Sequence, residues 1–309
     1  LMAGVSAAEP AYTPTPAGWV LSHCVHEIEE GSSVRELEDG STLVSSISGS
    51  KKIIAKCVSD KGLPVLKQHR EKAAEAGRPL PPDYDGWLQY TAVNASKVGL
   101  PAGGGFDAFT NVMSVPDVPK ARADQLFLFP GLQNIDWIPK VDPLPTSANP
   151  FDIIQPVLQY PGGGLFGGKW QVKSWYVTVN AGALYSSGID VDAGDEILCN
   201  MTRTGPEDWV IVATSTKDPK KSTTQKASNP RLKLQPWAYN TLECYGCQGC
   251  DTYPTKAITF NDNKLYSGGK LVDVPGSQWA INPKPAQDLK CKEHTSVDAK
   301  SGDTTIFFQ

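Results

Sequence analysis

The chain has 309 residues, 40% of them hydrophobic and 20% charged, with a formal net charge of −4. That length and composition suit one large packed domain or two modest ones, not a disordered chain. The mildly acidic balance offers no basic field to phosphate, which argues against nucleic acid, and no apolar run reaches the roughly 18–20 residues of a membrane-spanning helix.

Residues 1–10 are rich in small side chains, suited to the remnant of a processed signal. A Pro/Thr-rich lead over 10–16 runs into Gly18-Trp19-Val20-Leu21, and short strand-like segments follow at 41–46 and 52–58. The one convincing helical stretch covers 63–76, with Gly77 as its stop and Pro79, Pro81 and Pro82 preventing continuation. The Pro-rich residues 79–85 read as a linker, so 1–85 form a small α+β N-terminal region, a candidate pro-segment or accessory domain.

From residue 86 to 309 the pattern is strand after strand: 87–93, 106–115, 125–129, 153–160, 170–179, 184–191 and 196–201. It continues at 209–215, 232–237, 239–245, 257–260 and 304–308. Turn chemistry separates them, as in Pro101-Ala102-Gly103-Gly104-Gly105 and Asp192-Ala193-Gly194-Asp195. Strands this dense, with almost no helix between them, predict an all-β domain, an antiparallel sandwich of concanavalin or jelly-roll type.

The seven cysteines leave at least one thiol unpaired or available for self-association through an intermolecular bridge. Cys24 and Cys57 flank the small strand region and are placed to staple it. Cys247 with Cys250, and Cys244 with Cys199, are the pairings considered for the rest. Asn94 and Asn200 open Asn-x-Ser/Thr triplets that would accept glycans in a secretory pathway. Together these features predict a secreted, extracellular protein.

Several motifs fail as cofactor or metal sites. Cys244, Cys247 and Cys250 have no nearby histidine to complete a zinc site, and the acidic run 190–196 does not match a calcium loop. The glycine-rich 161–168 lacks the ending of a phosphate loop. No cofactor and no metal is expected. No nucleophile elbow is present either.

Two strands carry candidate chemistry. Over 152–160, alternation places Gln155 and Gln159 on one face, where they either line a polar groove or face solvent. Over 239–245, Glu243 is the lone acid among Tyr239, Thr241 and Tyr245. Partial burial there would raise its pKa into the range of a general acid or base.

With these segments in order, residues 123–260 resemble the glutamic-peptidase fold, a concanavalin-like sandwich, and more loosely the neprosin-type peptidases. The resemblance rests on Ile153-Ile154-Gln155-Pro156-Val157-Leu158-Gln159-Tyr160, on Trp175-Tyr176, and on the turns 187–189 and 193–197. It departs at Val177, at Pro156 and in the residues around Glu243. What it implies is an acid-acting endopeptidase in which Glu243 activates a water and Gln155 orients it and stabilises the oxyanion. Gln159, Trp170, Trp175, Tyr176 and Tyr239 would then hold a polypeptide substrate. Two alternatives remain at this stage. The same aromatics and amides suit a lectin-like module with a glycan ligand, and the odd cysteine suits a non-catalytic extracellular structural protein.

Overall fold

The computed structural model describes residues 12–57, 66–67, 86–139, 145, 150–162, 168–178, 180, 182–247, 249–283 and 291–308. Among these, every long element is a strand. In chain order they are β1 (Tyr12–Thr15), β2 (Gly18–Leu21), β3 (Val25–Ile28), β4 (Ser33–Glu36), β5 (Thr42–Ser45), β6 (Lys51–Ile54) and β7 (Leu66–Lys67). There follow β8 (Gly86–Asn94), β9 (Ala108–Ser114), β10 (Gln125–Gln133), β11 (Asp152–Gly162), β12 (Lys169–Thr178), β13 (Gly182–Ser186), β14 (Ile189–Val191), β15 (Glu196–Arg203) and β16 (Asp208–Ser215). The chain closes with β17 (Ser222–Ser228), β18 (Trp237–Tyr245), β19 (Ile258–Ser267), β20 (Lys270–Val272), β21 (Ala280–Ile281), β22 (His294–Val297) and β23 (Thr304–Phe307).

Two large sheets pack face to face, which makes the predicted all-β sandwich. One runs β21-β8-β18-β10-β11-β12-β13-β3, with β14 on β12; the other runs β22-β23-β19-β9-β15-β16-β17-β4-β5-β6, with β20 on β19. Their inner faces share one apolar interior, where Leu126, Leu128, Leu158 and Leu242 of the first sheet meet Met113, Ile197 and Ala213 of the second. Ser174 stitches the layers by donating its hydroxyl hydrogen to carbonyls at Ile211 and Thr223.

Burial along the strands shows what lies outside each sheet. In the second sheet β9 and β16 alternate between buried and partly exposed residues, the signature of one solvated face. In the first sheet β8 and β18 are buried almost throughout, and so is β10. Something must therefore cover its outer face. The cover is a third layer, β1-β2-β7, which contributes Ala17, Trp19, Val20 and Leu21 to a cluster with Trp87, Phe127, Phe129, Trp175, Tyr239 and Tyr245.

The strands β3 to β6 are woven into the sandwich. β3 pairs in parallel with β13, and β4 pairs in parallel with β17. Glu36 forms a bidentate pair with Arg231, its oxygens accepting at 2.8 and 2.6 Å, and Arg231 also pairs with the buried Asp152.

Several expectations are corrected. At Leu66–Lys67, inside the expected helix, the chain forms a strand on β2; the rest of 63–76 and the linker 79–85 lie outside the described residues. The strand expected over 232–237 is instead a 3-10 turn at Pro230–Lys233, capped by the Asn229 side chain, before β18 begins. The segment 184–191 divides into β13 and β14 around Gly188, which adopts positive φ. The polar strand β17 was not anticipated. Its Thr223, Gln225 and Ala227 face inward although the run Ser222-Thr223-Thr224-Gln225-Lys226-Ala227-Ser228 carries no apolar alternation.

Three disulfides form. Cys24 pairs with Cys57 as expected, but Cys244 pairs with Cys247, and Cys250 pairs with Cys291. Cys199 is free and fully buried in β15, with its inward position in the sandwich interior. Burial pushes its thiol well above the usual range. It does not pair with Cys244, which is bonded to Cys247, and its burial keeps the thiol away from the surface that an intermolecular bridge would need.

Candidate functional site

Gln155 on β11 and Glu243 on β18 both sit on the outer face of the first sheet and are fully buried. The strand β10 runs between them, and its register fixes their offset. Gly131 pairs with Tyr239, and a side-chain carbon placed on Gly131 would lie 3.5 Å from the Gln155 Oε1, so Gln155 and Tyr239 flank one position of β10. Phe127 pairs with Glu243 on one side and with Gln159 on the other. The glutamine level with Glu243 is thus Gln159. Gln155 stands four residues further along, about 13 Å in strand rise.

The N-terminal hairpin contacts both Gln155 and Glu243. β1 and β2 pair from Tyr12↔Leu21 to Thr15↔Gly18, leaving Pro16-Ala17 as the tip. The Gln155 Nε2 donates to the Pro16 carbonyl at 3.2 Å, while the Gly18 N–H is turned toward the Glu243 carboxyl. Gly18 has φ +111°, a conformation that side chains resist, and it lets the turn close with Thr15 Oγ1 donating to the Gly18 carbonyl at 2.8 Å. Trp19 packs edge-on against Tyr245 at 5.3 Å and seals the lower side.

Glu243 lies in an aromatic box. Tyr245 donates its hydroxyl to Oε1, and the Trp87 indole approaches the carboxyl. Trp87 itself packs edge-on against Tyr239 at 5.0 Å and Phe129 at 5.5 Å. Burial raises the Glu243 pKa well above the glutamate range, against the opposing hydrogen bonds from Tyr245, Trp87 and Gly18. A carboxyl whose pKa is raised by burial can act as an acid when protonated and as a stronger base when ionised, which is the chemical resource of this candidate site.

The remaining expected contact residues divide between the two faces. Gln159, Trp175 and Tyr239 share the outer face with Gln155 and Glu243, and Trp175 stacks on Tyr185 at 4.5 Å. Trp170 and Tyr176 are on the other face. Trp170 packs on Tyr160 inside the sandwich, and the Tyr176 hydroxyl donates to Asp152 at 2.6 Å, so neither lines a groove on the outer face. Their even spacing from one another, and odd spacing from Trp175, decides this by the alternation of a strand. Pro16, Gly18, Trp87 and Tyr245 belong to the site without having been singled out. The signal was present for Tyr245, which shares its strand face with Glu243, and absent for the hairpin, whose contacts are made across the whole sequence.

No protein-family model matches the sequence, and no curated protein matches it. Solved structures do resemble it. Crystal structures of scytalido-glutamic peptidase with a transition-state analogue inhibitor and with a peptide-based transition-state analogue match at 15% and 14% identity, each with a TM-score of 0.49. A structure of SCP-B, described as a member of the eqolisin family of peptidases, in complex with a tripeptide, matches at 14% identity and a TM-score of 0.48. All three matches cover 73% of this chain and 98% of the other. Likeness at this identity and TM-score carries no residue role across.

Two further expected sites can be located. Asn94 caps the turn at Ala95–Val98 by accepting from the Ser96 N–H at 2.9 Å, and Asn200 accepts from the Thr202 hydroxyl in β15. Each asparagine is partly exposed.

Proposed function

We propose that the chain is a secreted peptidase of glutamic type, described here in a latent form with its own N-terminal hairpin over the catalytic face. One observation carries the reading: the sheet already holds a polypeptide backbone there, with the Gln155 amide on the Pro16 carbonyl and the Gly18 N–H toward Glu243. A face that binds main-chain carbonyl and amide groups in this way is suited to an extended peptide substrate.

In the uncovered enzyme the Glu243 carboxylate would accept a proton from water as the oxygen attacks the peptide carbonyl carbon. It would return that proton to the amine as the C–N bond breaks. An amide N–H would stabilise the developing oxyanion, and both buried glutamines of β11 are candidates. Gln159 is level with Glu243, whereas Gln155 reaches the covering backbone.

The covering element is proposed to be β1–β2, upstream of Cys24, instead of all of residues 1–85. Downstream of Cys24, β3 and β4 complete the two sheets and Glu36 neutralises Arg231. Removing them would strip both sheet edges. The secreted location is supported by the three disulfides, which persist in oxidising compartments. Glycans at Asn94 and Asn200 fit the same route.

The test is cleavage profiling of a mixed peptide library across acidic to neutral pH, before and after nicking upstream of Cys24, with wild type and Glu243→Gln in parallel. Cleavage that appears after nicking and is lost in Glu243→Gln is the expected result. Absence of cleavage by the nicked wild type at every pH overturns the reading.

A further inference from the structure

At the level of Gln159 the outer face of the first sheet opens into a cavity of about 470 Å³, whose lining includes Pro14 and Glu27. That volume fits a side chain or a small ligand. Lys173 lies in it only 8% exposed, with its Nζ 4.3 Å above the ring of Tyr185. Among the described residues no carboxylate lies within ion-pair distance of this ammonium. Glu27, in the cavity wall, acts on it only at longer range. Beside this ammonium, which rests on the Tyr185 ring, three polar atoms of lining residues are buried without a hydrogen-bond partner: the Trp175 Nε1, the Gln125 Nε2 and the Gln159 Oε1.

Buried polar groups in folded proteins are nearly always satisfied, so several unsatisfied ones around one cavity need an occupant. Among the groups close to Lys173 donors predominate, an ammonium, an indole N–H and an amide NH₂ against one amide oxygen, while the Glu27 carboxylate is an acceptor in the wall beyond ion-pair distance. Such a set matches an acceptor-rich anion of single charge. One lysine without arginine or a helix N-terminus fits a carboxylate better than a phosphate. The register places the cavity along the substrate line. Lys173 opposes Val157, between Gln155 and Gln159, and Trp175 opposes Tyr185.

We propose that this cavity is a recognition subsite for a carboxylate side chain of a bound peptide, with the Lys173 ammonium as its charge partner. That it serves a peptide rests on the peptidase reading; that it binds a carboxylate rests on the cavity alone.

The test is equilibrium binding to the full chain, by calorimetry and tryptophan fluorescence, of acetyl-glutamate amide, acetyl-glutamine amide and acetyl-lysine amide. The glutamate compound is expected to bind at least about tenfold more tightly than the glutamine compound, and the lysine compound not at all. Lys173→Met should abolish that preference with the fold retained by circular dichroism, Glu27→Gln should strengthen it, and Lys173→Glu should reverse it. Failure of the glutamate compound to bind at millimolar concentration, or binding indifferent to Lys173→Met, overturns the proposal. Because the readout is binding, the two readings fail separately. Carboxylate binding without cleavage retires the peptidase and keeps the site, whereas cleavage without carboxylate binding does the reverse.

Discussion

The side-chain amide of Gln155 and the carbonyl of Pro16, 139 positions apart in sequence, meet in a hydrogen bond of 3.2 Å that is fully buried. This bond ties the tip of the N-terminal hairpin to the middle of the first sheet. It also explains how a glutamine in a strand without solvent access satisfies its donor. The Gly18 N–H turned toward Glu243 adds a second polar tie, and Ala17, Trp19, Val20 and Leu21 pack against the aromatic face.

Trp19 is therefore the residue whose loss should loosen the cover selectively. It is nearly buried and contacts Tyr245, and truncating a buried tryptophan costs about 3–5 kcal/mol. In Trp19→Ala, amide hydrogen exchange should accelerate at Gly18 and Val20 while β10 and β18 keep their protection. On the peptidase reading, peptide cleavage should rise above that of the intact wild type. Uniform loss of protection across both large sheets would show that the hairpin is part of the global core and not a separable cover.

Glu243 gives the structure a pH signature with a definite sign. Its folded pKa is raised by burial above the unfolded value, so the folded state binds the proton more tightly. The associated stability is complete below the ordinary glutamate pKa and is lost as pH rises toward the raised folded value. Glu243→Gln, which keeps the shape and removes the charge, should therefore raise the melting temperature near neutral pH and change it little near pH 4. Equal shifts at both pH values would contradict the raised pKa. The same sign bears on activation. Acid favours the covered, neutral carboxyl, so opening at low pH would have to be driven by other groups.

The architecture was largely legible because alternation and turn residues are local. Strands β9, β15 and β16 follow their apolar period closely, and the all-β sandwich follows from their density. The N-terminal third was harder to read. The run 63–76 has good helix formers, yet Leu66–Lys67 pair with β2, a tertiary contact that propensity does not register. Within the site, the face shared by Gln155 and Gln159 followed from period two, whereas Glu243 was joined to it only through the family resemblance, and the same rule places Tyr176 opposite Trp175. The relative offset of Gln155 and Glu243 was not legible. It depends on how β10 registers with each neighbour, and a one-residue change in either pairing would have altered it.

The cysteines allow a chemical test. Cys199 is buried and its thiol is hard to ionise, so the native protein should resist alkylation at neutral pH and react at one site only after denaturation without reductant. The bond between Cys24 and Cys57, with a sequence separation of 33, anchors the chain immediately after the hairpin. For a loop of that size its loss should cost about 3–4 kcal/mol. Mass mapping of alkylated peptides checks the first point, and denaturant unfolding of Cys24→Ser/Cys57→Ser checks the second.

Arg231 decides how much of the N-terminal region is structural. Its guanidinium is held by Glu36 from β4 and by Asp152 from β11, and it also donates to Thr178 at 2.8 Å. Burial would raise the Glu36 pKa, but hydrogen bonds from Arg231, Asn180 and Asn229 hold it below the usual range. Arg231→Met leaves Asp152 without its cation and should destabilise by about 3–5 kcal/mol, the cost of breaking a buried pair from one side. Glu36→Gln should cost less, because Asp152 still balances the arginine, and its effect should fade as pH falls below the ordinary glutamate range. If β4 is integral to the sandwich, both losses appear in one cooperative unfolding transition. A Glu36→Gln variant in which residues 33–57 become protease-sensitive while the rest stays folded would instead mark the whole segment as detachable, and would extend the cover well beyond the hairpin.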